Sequence, residues 1–165
     1  PFQAFRRDGS GVFQSLEIDG WGDYFSKRHV GRALWTLDAN GDGQNDLMLT
    51  HTDEQARLIL VDPYEAHHRI GFKLVGTATS RDATGAVVRF RAGGKDRARW
   101  CLAGDGYMCA NEKVLRAGLG AADEAEDVTV TWADGSVEEI GRLKADGQYV
   151  IVQGEGAADR VKDYR

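Results

Sequence analysis

Apolar and polar residues alternate along much of this chain with the period of two that belongs to strands. No stretch carries the 3.6-residue stripe of an amphipathic helix three turns long. Val128-Thr129-Val130-Thr131-Trp132 is the cleanest case, with Val, Val and Trp on one face. Ala133-Asp134-Gly135-Ser136 then turns the chain into Val137-Glu138-Glu139-Ile140. Asp-Gly between alternating runs is a strong hairpin signal. A second such pair, Asp146-Gly147, precedes Tyr149-Val150-Ile151-Val152. Upstream, Ile70-Gly71-Phe72-Lys73-Leu74-Val75 and Ala86-Val87-Val88-Arg89-Phe90 flank the polar turn 80–85. Strands of this kind and number predict an all-β protein in which residues 67–155 form an antiparallel β-sandwich.

Residues 1–66 read as a separate set of short strands. Asp8-Gly9 and Gly11 mark a turn before Val12-Phe13-Gln14-Ser15-Leu16, and Trp21-Gly22-Asp23-Tyr24-Phe25 reads as loop. Ala33-Leu34-Trp35-Thr36-Leu37, Leu47-Met48-Leu49-Thr50 and Ala56-Arg57-Leu58-Ile59-Leu60-Val61 are strand-like, and Asp62-Pro63 ends the last of them. Residues 156–165 read as a polar tail.

Composition sharpens this picture in three places. With 21 Gly against 2 Pro, the chain has the punctuation of a turn-rich β protein. A formal charge of −5 offers no basic stripe for nucleic acid, and no apolar run is long enough to span a membrane. The chain begins at Pro1 with no initiator Met, which fits a processed secreted protein or a piece of a longer one.

The clearest chemistry lies in Asp38-Ala39-Asn40-Gly41-Asp42-Gly43-Gln44-Asn45-Asp46. Asp38, Asn40, Asp42 and Asp46 place side-chain oxygens at the first, third, fifth and ninth positions of a loop, with Gly43 at the sixth and the Gln44 carbonyl at the seventh. Calcium takes about six to eight hard oxygen ligands, and this spacing can aim alternate residues at one centre. An EF-hand needs a bidentate glutamate at the twelfth position, where this chain has Leu49. The expectation is a calcium loop between two strands of a hairpin. The plainer alternative is an ion-free turn, since Asn, Asp and Gly favour turns anyway.

Other candidates are weaker. Cys101 and Cys109 flank the turn 103–106 and are expected to pair as a disulfide, with two buried free thiols as the alternative. Trp35 and Trp132 read as core, whereas Trp21 and Trp100 are candidates for a ligand surface, where an exposed indole could stack on a sugar ring. His29, His51, His67 and His68 have no nucleophile or carboxylate partner assignable from spacing, and no serine sits in a Gly-x-Ser-x-Gly elbow. No catalytic constellation is expected. The acidic run Asp123-Glu124-Ala125-Glu126-Asp127 reads as a solvated loop.

Four separated blocks carry a family resemblance. They are Lys73-Leu74-Val75-Gly76-Thr77, Ser80-Arg81-Asp82-Ala83-Thr84-Gly85-Ala86-Val87-Val88, Gly118-Leu119-Gly120 and Val128-Thr129-Val130-Thr131-Trp132-Ala133-Asp134-Gly135. In order and spacing they resemble the ASPIC/UnbV domain, over about residues 67–155. Residues 32–50 resemble one FG-GAP/VCBS repeat, the blade of an integrin-type β-propeller. Asp38, Asn40, Asp42 and Asp46 fall on that repeat's calcium ligands. The resemblance implies an extracellular or periplasmic calcium-binding module, associated with a protein partner or with the remainder of a longer propeller chain. A lone blade cannot close a propeller, so an exposed apolar edge is expected on residues 1–66. An accessory domain of an enzyme and a carbohydrate-binding module are the competing readings.

Overall fold

The computed structural model describes residues 3–17, 22–62 and 66–164. Its first part is a hairpin of β1 (Ala4–Arg7) and β2 (Phe13–Leu16), followed by a single helical turn, α1 (Asp23–Ser26). Asp8 fixes the hairpin turn by accepting the N–H groups of Ser10 and Val12 on one carboxylate oxygen. Next come β3 (Gly31–Leu37), β4 (Asp46–His51) and β5 (Arg57–Ile59), an antiparallel three-stranded sheet in that order. The expected calcium hairpin is the β3–β4 connection, with Leu37 opposite Asp46.

The remainder is a sandwich of two four-stranded sheets. One sheet runs β11 (Val137–Lys144), β10 (Glu124–Thr131), β7 (Val87–Ala92), β8 (Lys95–Trp100). The other runs β13 (Ala158–Asp163), β12 (Gly147–Val152), β6 (His68–Val75), β9 (Leu115–Gly120). All pairings are antiparallel except β6 with β12, which run parallel with Phe72 opposite Tyr149. Alternation drives the packing. Ile70, Phe72 and Leu74 from β6, with Ile151 from β12 beside Leu74, face Val88 and Phe90 from β7 and Val128 and Val130 from β10, all buried. The Phe72 and Phe90 rings lie 5.5 Å apart. Each such side chain contributes roughly 1.5–3 kcal/mol by leaving water.

Two expectations need correcting. The polar tail expected over 156–165 is, through residue 164, part of the fold: β13 pairs with β12 along its length, and Tyr164 beyond it is buried. Its charged composition is that of an edge strand, where charge protects the open side from further pairing. The acidic run 123–127 is not a loop either, since most of it belongs to β10, with register shifts around Ala125 and Val128 and a positive φ at Asp127. The bulge absorbs residues that break the alternation.

The open side between β8 and β9 is closed without strand pairing. Arg97 and Arg99 stand opposite Phe90 and Val88, so they point inward. Their guanidinium groups donate to the carbonyls of Gly118 and Arg116 on β9.

Candidate functional site

The nine-residue loop docks on the outer face of the sheet that contains β6. There the register places Lys162, Gln148, Gly71 and Arg116 in one cross-strand row on β13, β12, β6 and β9. Directly opposite residues share a face, so this row presents two cations on either side of a glycine. The acidic loop meets those cations. Lys162 Nζ lies 3.0 Å and an Arg116 terminal nitrogen 3.5 Å from Asp38 Oδ2, and the Arg69 Nε–H donates to the Asp42 carbonyl at 2.6 Å. Gly71 leaves room for Tyr164, whose hydroxyl would overlap any Cβ there.

Within the loop, carboxylates organise the backbone. The Gly41 N–H donates to Asp38 Oδ1 at 2.6 Å, and the Gly43 N–H to Asp38 Oδ2 at 3.2 Å. Asn40 Oδ1 accepts the Asp42 N–H, and Asp42 Oδ1 accepts the Gln44 N–H. Asp46 is fully buried; its oxygens take the N–H groups of Ala39 and Val61, tying the loop to the chain beyond β5. Gly41 and Gly43 both have φ of +84°, which side chains oppose. The Asp38 side chain is 1 % exposed. Burial alone would raise its carboxyl, but the Lys162 hydrogen bond and charge, the Arg116 charge and the Gly41 N–H outweigh burial and hold it low.

Three carboxylates, an amide oxygen and a turn glycine are a donor set whose chemistry suits a hard divalent cation. Among the described residues, no three His, Cys, Asp or Glu side chains already converge on one point. The donors fit calcium in kind, while Asp38 is at present turned to Lys162 and Arg116.

Most of the other candidates disperse, but His29 and His51 come together, ring centroids 5.3 Å apart, beside Tyr24, whose hydroxyl meets His51 Nε2 at 2.6 Å. Cys101 and Cys109 are both free, which corrects the expected disulfide. The segment between them is not a ladder that faces one against the other. The Cys101 thiol is buried against the Asp82 carbonyl, and that of Cys109 meets the Leu34 carbonyl on β3. Trp132 is core, Trp35 half-buried, and Trp100 is 57 % exposed on the outer face of β8. Trp21 lies outside the described residues. Two histidines do gain carboxylates: His29 Nδ1 meets Glu54 at 2.9 Å, and His68 Nδ1 meets Asp146 at 2.6 Å. Two further bonds of these pairs run to backbone, His29 Nε2 to the Tyr24 carbonyl and Asp146 Oδ1 to the Arg69 N–H, which suits struts between segments. An open cavity of about 470 Å³ lined by Thr77, Asp134, Glu138 and Gln153 holds no histidine.

Sequence reasoning missed Lys162, Arg116, Arg69 and Tyr164. Each reaches the loop through strand pairing across a long sequence separation, and the one local hint was the alternation of Arg160, Lys162 and Tyr164 in a stretch read as tail.

The family profile of ASPIC and UnbV matches residues 76–158, half of the chain. This chain belongs to the ASPIC and UnbV family. Over 151 residues it is 31 % identical to cartilage acidic protein 1 of Homo sapiens, a match covering 89 % of this chain and 22 % of that protein. The Xenopus tropicalis protein of the same name is 34 % identical over 139 residues, covering 82 % and 21 %. The chain therefore spans about a fifth of the length of the curated relatives it matches. The ASPIC and UnbV match covers most of the sandwich, whereas the loop 38–46 and the Lys162 and Tyr164 side chains that meet it fall outside it.

Proposed function

We propose that this chain is a non-enzymatic β module of the extracellular or periplasmic space, stabilised by calcium at the loop 38–46, that associates with a protein partner or forms part of a larger assembly. The observation that carries the association is the apolar surface of the first part. Phe5, Val12 and Phe13 on the hairpin, and Val30, Leu34, Leu58 and Leu60 on or beside the three-stranded sheet, are all exposed, Phe13 by 68 %. The register puts Leu34 level with Leu49 and Leu58 level with Met48, so the sheet exposes apolar residues on both faces, and such residues mark interaction sites. The three-stranded sheet with its Asx-rich connection supports the reading of an FG-GAP/VCBS-like blade that lacks its neighbours. The relatives' name supports the setting, since cartilage is an extracellular tissue, and this acidic chain shares their stated character.

Calcium would be held by Asp38, Asn40, Asp42 and Asp46 with the Gln44 carbonyl, offsetting carboxylates that otherwise repel. The test is thermal melting of chelator-stripped protein with calcium or magnesium, run beside sedimentation of wild type and a Phe5→Ser/Phe13→Ser variant. A calcium-specific rise in Tm and self-association lost in the variant are expected. Absence of the calcium shift sinks the metal reading, and a monomer at all concentrations removes a second copy as the partner.

A saccharide ligand is the second reading, and one row of side chains favours it. Val137, Thr131, Val87 and Trp100 lie opposite one another across all four strands of the outer face. Arg89, on the same face, donates to the Thr131 hydroxyl, and no carboxylate among the described residues pairs with it. An indole platform beside a guanidinium suits an acidic sugar. Trp100→Ala should abolish binding of a uronic-acid oligosaccharide measured by calorimetry; equal binding by the variant removes this reading.

A further inference from the structure

The loop's first ligand position is already served by a cation of the chain itself. Lys162 Nζ sits 3.0 Å from Asp38 Oδ2, and also 3.0 Å from where a Cβ of Gly41 would stand, so the ammonium lies against the loop backbone. This is no chance meeting of surface side chains. Lys162 is fixed in register opposite Gln148, and two residues on Tyr164 rests on Gly43 and over Gly71.

The two cations on Asp38 are not equivalent. Arg116 is 6 % exposed and has a second carboxylate, Glu112, at 2.8 Å, so it stays compensated whatever Asp38 does. The Lys162 side chain is 38 % exposed, and among the described residues its carboxylate partner is Asp38 alone. An ammonium on a flexible stem with water beside it leaves more readily than a buried guanidinium, although it also gives up its place 5.6 Å from the Tyr164 ring centroid. Calcium bonds oxygen at about 2.3–2.6 Å. A divalent ion on the same Asp38 oxygen would therefore stand within a few ångströms of Nζ, two positive charges sharing one carboxylate.

We infer that Lys162 is a tethered competitor for the loop's cation: its ammonium must leave Asp38 before the loop closes on calcium, while Tyr164 keeps its place against Gly43. This rests on the calcium reading above. It accounts for an ammonium seated on Asp38, the loop's first ligand position. It also makes calcium affinity a property of the docked pair, loop and β13, and not of the nine residues alone.

The test is calorimetric titration of the chelator-stripped chain with calcium chloride, comparing wild type with Lys162→Met, which keeps the stem and removes the charge, and with Lys162→Gln as a second variant. Both variants are expected to bind calcium about tenfold tighter than wild type. Their calcium-free forms should melt lower, because Asp38 loses a partner. Equal or weaker binding by folded variants overturns the competition and leaves the calcium reading standing. No binding by wild type or either variant overturns both. A measurement on wild type alone guards against variants that fail to fold: acetylation of Lys162, read by peptide mass spectrometry against exposed Lys95. Calcium should increase Lys162 labelling relative to Lys95, and unchanged or lower labelling overturns the inference.

Discussion

The Tyr164 ring rests against the backbone of Gly43, so closely that a Cβ on Gly43 would overlap its Cγ and both Cδ atoms. A residue beyond the last strand thereby clamps the sharpest point of the acidic loop. Gly43→Ala meets two obstacles, the ring and a φ of +84°. It should destabilise the protein by about 1–3 kcal/mol, measured by urea unfolding. Tyr164→Ala removes one obstacle only, so the double variant should lose less than the sum of the singles; strict additivity would show that the two residues do not touch.

Gln153 is a second clamp. Its side-chain oxygen accepts the N–H groups of Thr77, Ala78 and Thr79 and the Thr79 hydroxyl, while its nitrogen donates to Asp134. Gln153→Leu keeps the bulk and takes the shared acceptor away from the three N–H donors of the turn. The expected loss is about 3 kcal/mol or more, read from the same urea curves. A loss below about 0.5 kcal/mol would mean that water reaches those donors.

The neighbouring Asp134 gives a pH dependence. Its carboxyl is held below the ordinary value by the Ser136 hydroxyl and N–H, which outweigh burial, with the Gln153 amide helping. A carboxyl depressed in the folded state adds stability above its unfolded pKa of about 3.9, and that contribution fades as pH falls through the folded value. The Tm difference between wild type and Asp134→Asn should be flat from about pH 7 to 5 and close below about pH 4. A difference that widens in acid would reverse the assigned sign.

The two thiols should behave differently. Burial pushes the Cys101 thiol up, and Asp82 and Asp105 add to that against Lys113. Cys109 sits in a partly open loop. In native protein at pH 8, iodoacetamide should modify Cys109 at least about tenfold faster than Cys101. Without reductant, denatured protein should titrate as two free thiols; none would restore the disulfide.

The legible part of this fold was the part whose strands bury one face. β10 and β12 alternate because Val128, Val130, Tyr149 and Ile151 all enter the core. The turns before β11 and β12 were legible because Gly135 has a φ of +86° and Asp146 one of +56°, conformations that Asp-Gly sequences announce. β8 was invisible for the opposite reason. Its inward positions are Arg97 and Arg99, charges that serve backbone carbonyls on β9, so hydropathy carries no signal of their direction. β13 was hidden in the same way, as a charged edge. The loop's own turns were readable from spacing because Asp38, Asn40 and Asp42 bond within a few residues. Its docking was not, because Lys162, Arg116 and Arg69 come from three strands whose alignment depends on long-range pairing.

The parallel pairing of β6 with β12 also fixes an order of events. β6 opens the sandwich and stands in the middle of its sheet, yet one of its two neighbours is β12, late in the sequence. On a ribosome, β9 can dock on β6 while the other edge of β6 waits, bare, until the residues around Tyr149 have emerged. Bringing such distant partners together is slow, since chain entropy is spent before the contacts form. During that interval Ile70, Phe72 and Leu74 belong to an incomplete sheet that other chains can reach. Substitutions that delay the arrival of β12 would then lower the yield of soluble protein while leaving the melting temperature of the finished molecule almost untouched.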